Sequence, residues 1–240
     1  MESKECSYRY TIGITYYNEP ELLAKQIENL NLYPHQIQII LVDDGSQIHP
    51  ARDSVEKITH PGFELWEVTE DLGFNSHGCR NLIATQAKSD TILFLDVDCL
   101  LSPENASYLQ KVRYNPKKLY RFNAYNSQSF SYQMVPGHIN VFMINKNTYW
   151  EAGGYDESFV GHHYGDRDFH KKIEAICETI NIGKMGITVL RGGRKLIVDE
   201  KVNKTTYDDE NMLLFTPKRL DHTLADKITT KLNFPYKRLL

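Results

Sequence analysis

Two aspartates separated by one residue, Asp96 and Asp98, are the residues best suited to bind a metal ion. They follow the apolar run Thr91–Leu95, whose length and lack of helical spacing are typical of a strand buried on both faces. Ligands bind at the carboxyl ends of strands in open α/β sheets. Two carboxylates there suit Mg²⁺ or Mn²⁺ bound to a phosphate. Because Asp-x-Asp is also common in solvated turns, the pair needs support from the rest of the chain.

A second acidic pair, Asp43 and Asp44, directly follows the strand-like segment Gln36–Val42. A turn favours Asp for backbone reasons alone. The functional alternative is a nucleobase pocket, in which a carboxylate accepts the imide N–H of uracil. Arg80 precedes the strand that carries Asp96. It is either solvated near a helix start or in contact with a base or diphosphate, because guanidinium pairs well with phosphate oxygens.

The second half of the chain offers Asp166 and Asp168 at the start of a helix predicted over residues 166–180. Acidic residues are common at a helix start because the helix dipole favours them. The functional alternative is a general base that takes a proton from an acceptor hydroxyl. The apolar residues Phe169 and Ile173 would anchor this helix in the core while the acid faces a cleft.

Histidines near this helix allow a different interpretation. On a continuous helix, His162, Asp166 and His170 would share one face and could hold zinc. The glycines at 161 and 165 instead favour a loop around the first histidine. A histidine that contacts substrate is therefore preferred to a dedicated zinc site.

Strand and helix signals alternate through the first half of the chain, which implies a mostly parallel sheet with right-handed crossovers. The second half is looser, with strands and loops between 121 and 144. The predicted strands are 10–16, 36–42, 64–68, 91–95 and 141–144, and the predicted helices start near Asn18, which is a candidate cap, and at 75, 102, 148 and 166.

Composition restricts the class of protein. The formal net charge is −3, which argues against broad nucleic-acid binding. The four cysteines lack the close spacing of a zinc or redox site, which suggests reduced thiols in a cytoplasmic protein. No signal core and no run of about 18 apolar residues is visible. The basic C-terminal segment, with Leu224, Ile228 and Leu232 at helical spacing, predicts a helix that packs on the domain or contacts a membrane surface peripherally.

The motifs also occur in a specific order along the chain. That order resembles glycosyltransferase family 2, inverting enzymes with the GT-A fold, over roughly residues 8–180. The resemblance rests on Tyr17-Asn18-Glu19, Val42-Asp43-Asp44-Gly45-Ser46, Arg80-Asn81, Leu95-Asp96-Val97-Asp98, Gly153-Gly154-Tyr155-Asp156-Glu157 and Gly165-Asp166-Arg167-Asp168-Phe169.

The resemblance implies a fold and a division of the chain. The fold would be a single α/β GT-A (Rossmann-like) domain, with a mostly parallel central sheet flanked by helices and a smaller mixed sheet on the acceptor side. Residues 1–101 would form the half that binds the nucleotide sugar. Residues 102–200 would form the acceptor-binding and catalytic half, and residues 201–240 a lid or tail.

The resemblance also implies roles for individual residues. A nucleotide sugar, with UDP favoured, would donate a sugar to the hydroxyl of a glycan or other acceptor, with Mn²⁺ or Mg²⁺ as cofactor. Asp98 would hold the metal, with Asp96 near it and the ribose, and Asp166 would be the catalytic base. The nucleotide would be bound by Thr15, Tyr17, Glu19, Asp43, Asp44, Arg80 and Asp96.

Two departures from the family pattern affect these roles. Thr15 stands where the family usually has Pro, and Gly165-Asp166 stands where it commonly has Glu-Asp, so Asp168 is a second candidate for the base. Two other functions remain open: a nucleotidyltransferase, for which no basic Gly-rich phosphate loop is visible, and a non-catalytic nucleotide- or carbohydrate-binding module.

Overall fold

One continuous sheet organises the part of the chain that the structure describes. The computed structural model describes residues 8–126, 135–136, 139–159, 164–190 and 232–240. The strands are β1 Tyr10–Tyr16, β2 Ile37–Asp43, β3 Phe63–Val68, β4 Thr91–Asp96, β5 Cys99–Leu101, β6 Lys118–Asn126, β7 Val135–Pro136, β8 Phe142–Asn145, β9 Glu178–Val189 and β10 Tyr236–Arg238. The helices are α1 Pro20–Leu30, α2 Ser76–Gln86, α3 Pro103–Leu109, α4 Lys146–Glu151 and α5 Gly165–Ile176, with short 3₁₀ turns at Ala51–Asp53 and Val55–Lys57.

The sheet has a parallel half and a mixed half. Its strand order is β10-β3-β2-β1-β4-β8-β6-β9-β5, and β7 pairs with β6 outside this path. Strands β3, β2, β1 and β4 are parallel, whereas β8 is antiparallel to both β4 and β6. The fold class predicted from the sequence is confirmed. The smaller mixed sheet is joined to the parallel half through β8, so the two halves share one set of strands.

Helices cover both faces of the parallel half, which explains its unbroken apolar strands. In β2, Ile39 and Leu41 belong to one core cluster, and Ile40 and Val42 belong to the other. Successive side chains of a strand point to opposite faces, so every residue of a strand covered on both sides can be buried. At Gly13 of β1 a Cβ atom would lie 2.2 Å from Cγ2 of Ile83, so this glycine allows α2 to approach the sheet closely.

Two element boundaries differ from the sequence predictions. Asn18 does not cap α1, which begins at Pro20 after Glu19. Instead its backbone has φ 48°, and its Oδ1 accepts hydrogen bonds from the amides of Ile48 and His49. The second difference is that α5 ends at Ile176, and residue 180 lies in a strand. The β-branched residues after the helix pair in parallel with β6, and this tertiary pairing outweighs the helical spacing.

The last residues of the chain pack on the body of the domain. Strand β10 pairs antiparallel with β3, the outermost of the parallel strands, and Lys237 and Arg238 form ion pairs with Glu67 (3.1 Å) and Glu64 (3.6 Å). Residues 191–231, which include Leu224 and Ile228, lie outside the described residues, so the proposed lid and the peripheral membrane contact stay predictions for that segment. No helix in the described ranges has the length and apolar character needed to cross a membrane.

Phe234→Ala should lower the free energy of unfolding by about 3 kcal/mol, the usual cost of removing a buried aromatic ring. Phe234 is 7% exposed, and its ring lies against Gly78 of α2. A Cβ atom built on Gly78 would be 2.5 Å from Cε1 of the ring. Urea unfolding measures the change. Leu240→Ala is the matched control, because Leu240 is exposed and its truncation should alter stability by less than about 0.5 kcal/mol. Equal effects of the two variants would contradict the packing of this segment.

Candidate active site

The polar residues singled out from the sequence gather at the carboxyl ends of the parallel strands. Thr15, near the end of β1, pairs with Val42 of β2 on one side and with Asp96 of β4 on the other. The next register position pairs Tyr16 with Asp43. Parallel pairing therefore brings residues that are about 80 positions apart in the chain to one edge of the sheet.

Asp43 holds the loop that follows β2. Its Oδ1 accepts a hydrogen bond from the amide of Ser46 (3.0 Å), and its Oδ2 accepts one from the amide of Ala51 (2.7 Å). Both carboxylate oxygens are thus used by the backbone of this loop. The hydroxyl of Ser46 in turn accepts from the amide of Asn18 (2.9 Å), which ties the loop after β1 to the loop after β2.

Asp44 is buried, and its two carboxylate oxygens differ. Oδ2 accepts a hydrogen bond from the amide of Asn75 at the start of α2 (2.7 Å), whereas Oδ1 has no hydrogen bond within the described part of the chain. Burial raises the pKa of Asp44 to about 7 despite the hydrogen bond from Asn75. The chemistry of this group is that of an acceptor whose charge changes near neutral pH.

Tyr17 and Glu19 border the same edge of the sheet. The hydroxyl of Tyr17 donates to Asp71, 3.1 Å from each carboxylate oxygen, and Asp71 also accepts from the amide of Gly73. Glu19 immediately precedes α1. Tyr17 thus joins the β1 loop to the segment that leads into α2.

Asp96 is the last residue of β4, and Asp98 lies in the tight turn between β4 and β5. A ligating atom from each of them and the thiol of Cys99 lie within 4.8 Å of one another, and this is the one group of three or more such side chains found in the described residues. Burial, followed by the charges of both aspartates, raises the pKa of the Cys99 thiol well above its usual value. Mg²⁺ and Mn²⁺ are hard cations that prefer oxygen ligands to sulfur, so the two carboxylates are the donors in this group that fit these ions.

Arg80 is directed at Asp96. The guanidinium is buried, and its Nη2 donates to Asp96 Oδ1 at 2.7 Å. Its central carbon lies 5.4 Å from the centre of the Tyr155 ring, within the range of a cation–π contact. The structure thus places Arg80 beneath the metal-binding candidates, and its predicted contact with the nucleotide stays a prediction.

Asp166 lies in the first turn of α5, where two side chains from other elements reach its carboxylate. Asn140 Nδ2 donates to Oδ2 (3.0 Å), and His77 Nε2 lies 3.4 Å from Oδ1, an ion-pair distance. Burial alone would raise the pKa of Asp166, but His77, Arg80 and Asn140 outweigh it and hold this pKa well below its usual value. The group is therefore an ionised carboxylate at neutral pH.

Asp168, the second candidate for the base, is in a different situation. It forms a buried ion pair with Lys172, one turn further along α5, with 2.7 Å between Oδ2 and Nζ. Both side chains are at most 5% exposed. The negative charge of the Asp168 carboxylate is thus balanced inside the protein by the positive charge of Lys172.

The histidines do not assemble a zinc site within the described residues. His170 Nε2–H donates to the carbonyl of Ile139 (2.8 Å), and its Nδ1 accepts from Arg121 Nη2 (3.1 Å). Burial and the charge of Arg121 lower the pKa of His170 to about 4, so the ring is neutral. His162 and His163 lie outside the described residues.

Asn81 is a site residue whose role the sequence analysis did not assign. Its Oδ1 accepts from the hydroxyl of Tyr149 (2.6 Å) and the amide of Tyr155 (3.0 Å), while its Nδ2 donates to the carbonyl of Tyr155 and to Glu157 Oε1 (2.9 Å each). Asn81 thereby fastens α2 to the segment before α5. In the sequence, the motif Arg80-Asn81 pointed to this residue without giving it a role.

The parallel sheet, the acidic turn after β4 and the acidic start of α5 together define a GT-A domain. The model of the glycosyl transferase family 2 matches residues 11–173, more than half of the chain, so the chain belongs to glycosyltransferase family 2. A search of curated protein sequences gives no significant match.

Solved structures agree with this fold. Residues 1–349 of Staphylococcus aureus TarS superpose with a TM-score of 0.64 at 12% identity, covering 88% of this chain and 65% of that one. A longer TarS structure gives a TM-score of 0.63 at 12% identity, over 88% of this chain and 40% of that one. The mannosyltransferase PcManGT from Pyrobaculum calidifontis gives 0.60 at 15% identity, over 80% of this chain and 60% of that one. The chain thus spans less than two thirds of the length of these relatives.

Proposed function

We propose that the chain is an inverting glycosyltransferase that moves a sugar from a nucleotide-diphosphate sugar, with UDP favoured, to the hydroxyl of an acceptor. The observation that carries this proposal is the arrangement around Arg80. Its guanidinium pairs with Asp96 at one end and is a charged neighbour of Asp166 at the other. A candidate metal site and a candidate general base thus have one buried cation as a common neighbour, which pairs directly with Asp96 and acts on Asp166 through its charge.

Asp98 and Asp96 would hold the divalent metal. One solved relative, PcManGT, is described in complex with GDP-Man and Mn²⁺. When bound, such an ion offsets the negative charge that builds on the departing diphosphate. Arg80 pairs with Asp96 and places a buried positive charge beside it, which favours a developing anion.

Asp166 would act as the general base. As the acceptor oxygen bonds to the anomeric carbon, the bond from that carbon to the diphosphate oxygen breaks, and the hydroxyl proton passes to the carboxylate of Asp166. A single displacement from the opposite face inverts the anomeric centre. The low pKa of Asp166 keeps the carboxylate in the ionised form that a general base needs, and the same low pKa makes it a weaker base than an ordinary carboxylate.

Asp44 would bind the base of the donor. Among the described residues no group donates a hydrogen bond to its Oδ1, which suits the imide N–H of uracil. Among the relatives, PcManGT is described with GDP-Man, and TarS, in a structure that matches with a TM-score of 0.62 at 13% identity, with UDP-GlcNAc. Because these relatives differ in their nucleotide, the proposal of UDP for this chain rests on the Asp44 carboxylate.

Calorimetric titration with UDP and GDP, each with and without Mn²⁺, tests this proposal together with a screen of nucleotide sugars for metal-dependent turnover. Micromolar UDP binding that requires the metal, with release of UDP from a UDP-sugar, is the expected result. Metal-dependent binding without turnover of any donor and acceptor would favour the non-catalytic binding module. Absence of nucleotide binding would overturn the proposal.

Asp44→Asn should weaken UDP binding and remove its pH dependence near neutrality. With a pKa of about 7, Asp44 is mostly ionised at pH 8 and mostly protonated at pH 6, so wild-type affinity should fall about tenfold between these values. The single amide oxygen of Asn cannot serve both Asn75 and the base. Titration of both proteins at both pH values measures the effect, and the ionisation of UDP itself cancels in the comparison. An equal pH dependence in the two proteins would contradict this role.

A further inference from the structure

The ring of His77 occupies the space into which a side chain at position 165 would project. A Cβ atom built on Gly165 would lie 2.5 Å from His77 Nε2 and 2.6 Å from its Cε1. Real Cβ atoms do not approach ring atoms so closely, so the two positions are sterically linked. The lack of a side chain at Gly165 thus leaves room for the ring of His77 on α2.

The His77 ring is held on two sides. It is 1% exposed, and it lies 5.2 Å from the ring of Tyr155 at an interplanar angle of 34°. Its Nδ1 is 3.1 Å from the carbonyl oxygen of Phe159. Because a carbonyl only accepts, Nδ1 carries a hydrogen and donates to it.

The remaining ring nitrogen faces the candidate base. Nε2 lies 3.4 Å from Asp166 Oδ1, while Asn140 Nδ2 donates to the other carboxylate oxygen. An ionised carboxylate only accepts, so the contact is attractive when Nε2 also carries a proton. In that state each oxygen of Asp166 faces its own donor, from a different part of the fold.

We propose that His77 is a positioning residue for Asp166: its ring fills the space over Gly165 and sets the direction of the carboxylate. This inference rests on the proposed role of Asp166 as the general base. His77 does not itself exchange the proton of the acceptor, because its Nδ1 is committed to Phe159. It acts by fixing one oxygen, which leaves the carboxylate a single orientation in which to meet the acceptor hydroxyl.

Several titratable groups face Asp166, so His77 is not alone in setting its pKa. Within the described part of the chain, these groups are His77 and Arg80 from α2, Tyr155 from the segment between α4 and α5, and His170 from α5 itself. His170 is neutral and Arg80 stays charged. Replacing His77 therefore removes one of the neighbours that lower the pKa of Asp166, and this pKa should rise without reaching that of an isolated buried carboxyl group, because Arg80 remains.

The steric link is tested without any activity measurement. Gly165→Ala should lower the melting temperature of the wild type, because its methyl group meets the His77 ring. In a His77→Asn background the shorter side chain removes this clash and leaves the Cβ atom of Phe159, 3.0 Å away, as a close neighbour, so the same change should lower the melting temperature by much less. His77→Ala provides a second background. An equal shift in all three backgrounds would overturn the packing.

Two substitutions test the positioning role. Each keeps one of the two contacts of the His77 ring, either the contact of Nδ1 with Phe159 or that of Nε2 with Asp166. His77→Gln extends an amide toward Asp166, whereas His77→Asn keeps a donor for Phe159 but stops short of Asp166. The donor KM should stay within about twofold in both variants. We expect kcat to fall about 10²-fold in the Asn variant, as for a misplaced catalytic group, and less than tenfold in the Gln variant. Equal kcat values in the two variants would overturn the role.

A titration separates this inference from the proposed function. In carbon-13 NMR spectra, the Asp166 carboxyl group should titrate at a higher pH in His77→Asn than in the wild type, whether or not the protein transfers sugar. An unchanged Asp166 titration would overturn the inference even in an active enzyme. A higher Asp166 titration in His77→Asn, together with a wild type that turns over no nucleotide sugar, would support the contact and refute the proposed function instead.

Discussion

Asp98→Asn should abolish metal-dependent UDP binding and reduce sugar transfer to background in a protein that remains folded. Asp98 accepts a hydrogen bond from the Cys99 thiol (3.4 Å), whereas Asp96 is paired with the charged guanidinium of Arg80 (2.7 Å), with which a metal ion would compete. Loss of residues that merely support a metal ligand typically costs 10–100-fold in affinity, so loss of a direct ligand should cost at least about 10²-fold. The backbone of the turn does not depend on the carboxylate, since it is held by the hydrogen bond from the amide of Leu190 to the carbonyl of Asp98 (2.8 Å).

Titration of UDP at several Mn²⁺ concentrations, with thermal unfolding as the measure of folding, checks this result. Asp90→Asn is the matched control, because Asp90 is an exposed aspartate at the opposite end of the same strand. It should leave both binding and stability unchanged. Wild-type Mn²⁺-dependent affinity in a folded Asp98→Asn protein would exclude Asp98 as a ligand.

Asp166→Asn should cut sugar transfer by about 10²–10⁴-fold, the usual contribution of general-base assistance, and leave donor binding near normal. Asn keeps the size and polarity of the side chain, and its amide oxygen can still accept from Asn140. It removes the basic oxygen that would take the proton of the acceptor. Initial rates with saturating donor, together with UDP titration, measure the two effects separately.

Asp168→Asn is the informative comparison for this prediction. It leaves Lys172 buried without its partner, and breaking a buried ion pair in this way costs about 3–5 kcal/mol of stability. We therefore expect a lower melting temperature and, well below it, only a modest loss of transfer. If Asp168→Asn abolishes transfer with stability intact while Asp166→Asn stays active, the roles of the two aspartates are reversed.

The parallel half of the fold could be predicted from the sequence because its signals are local. An unbroken apolar strand such as β2, followed at once by Asp43 and Asp44, indicates burial on both faces and a polar carboxyl end. Local signals were misleading where a tertiary contact overrides them. Asn18 is a residue type that commonly caps helices, yet its side chain accepts hydrogen bonds from the amides of Ile48 and His49. Residue 180 continues the helical spacing of α5 but pairs with β6.

The sequence by itself determined which residue types are available for chemistry: acidic pairs after buried strands, Arg80 before one of them, and Asp166 and Asp168 at a helix start. Only the tertiary structure decided what each of them contacts. Residues 166 and 168 are both aspartates in the first turn of α5. The helix directs Asp166 toward His77 and Asn140, and it directs Asp168 toward Lys172. The partners of Asp166 lie 89 and 26 positions away along the chain. Contacts of this kind depend on how the helices pack on the sheet, and no local spacing encodes them.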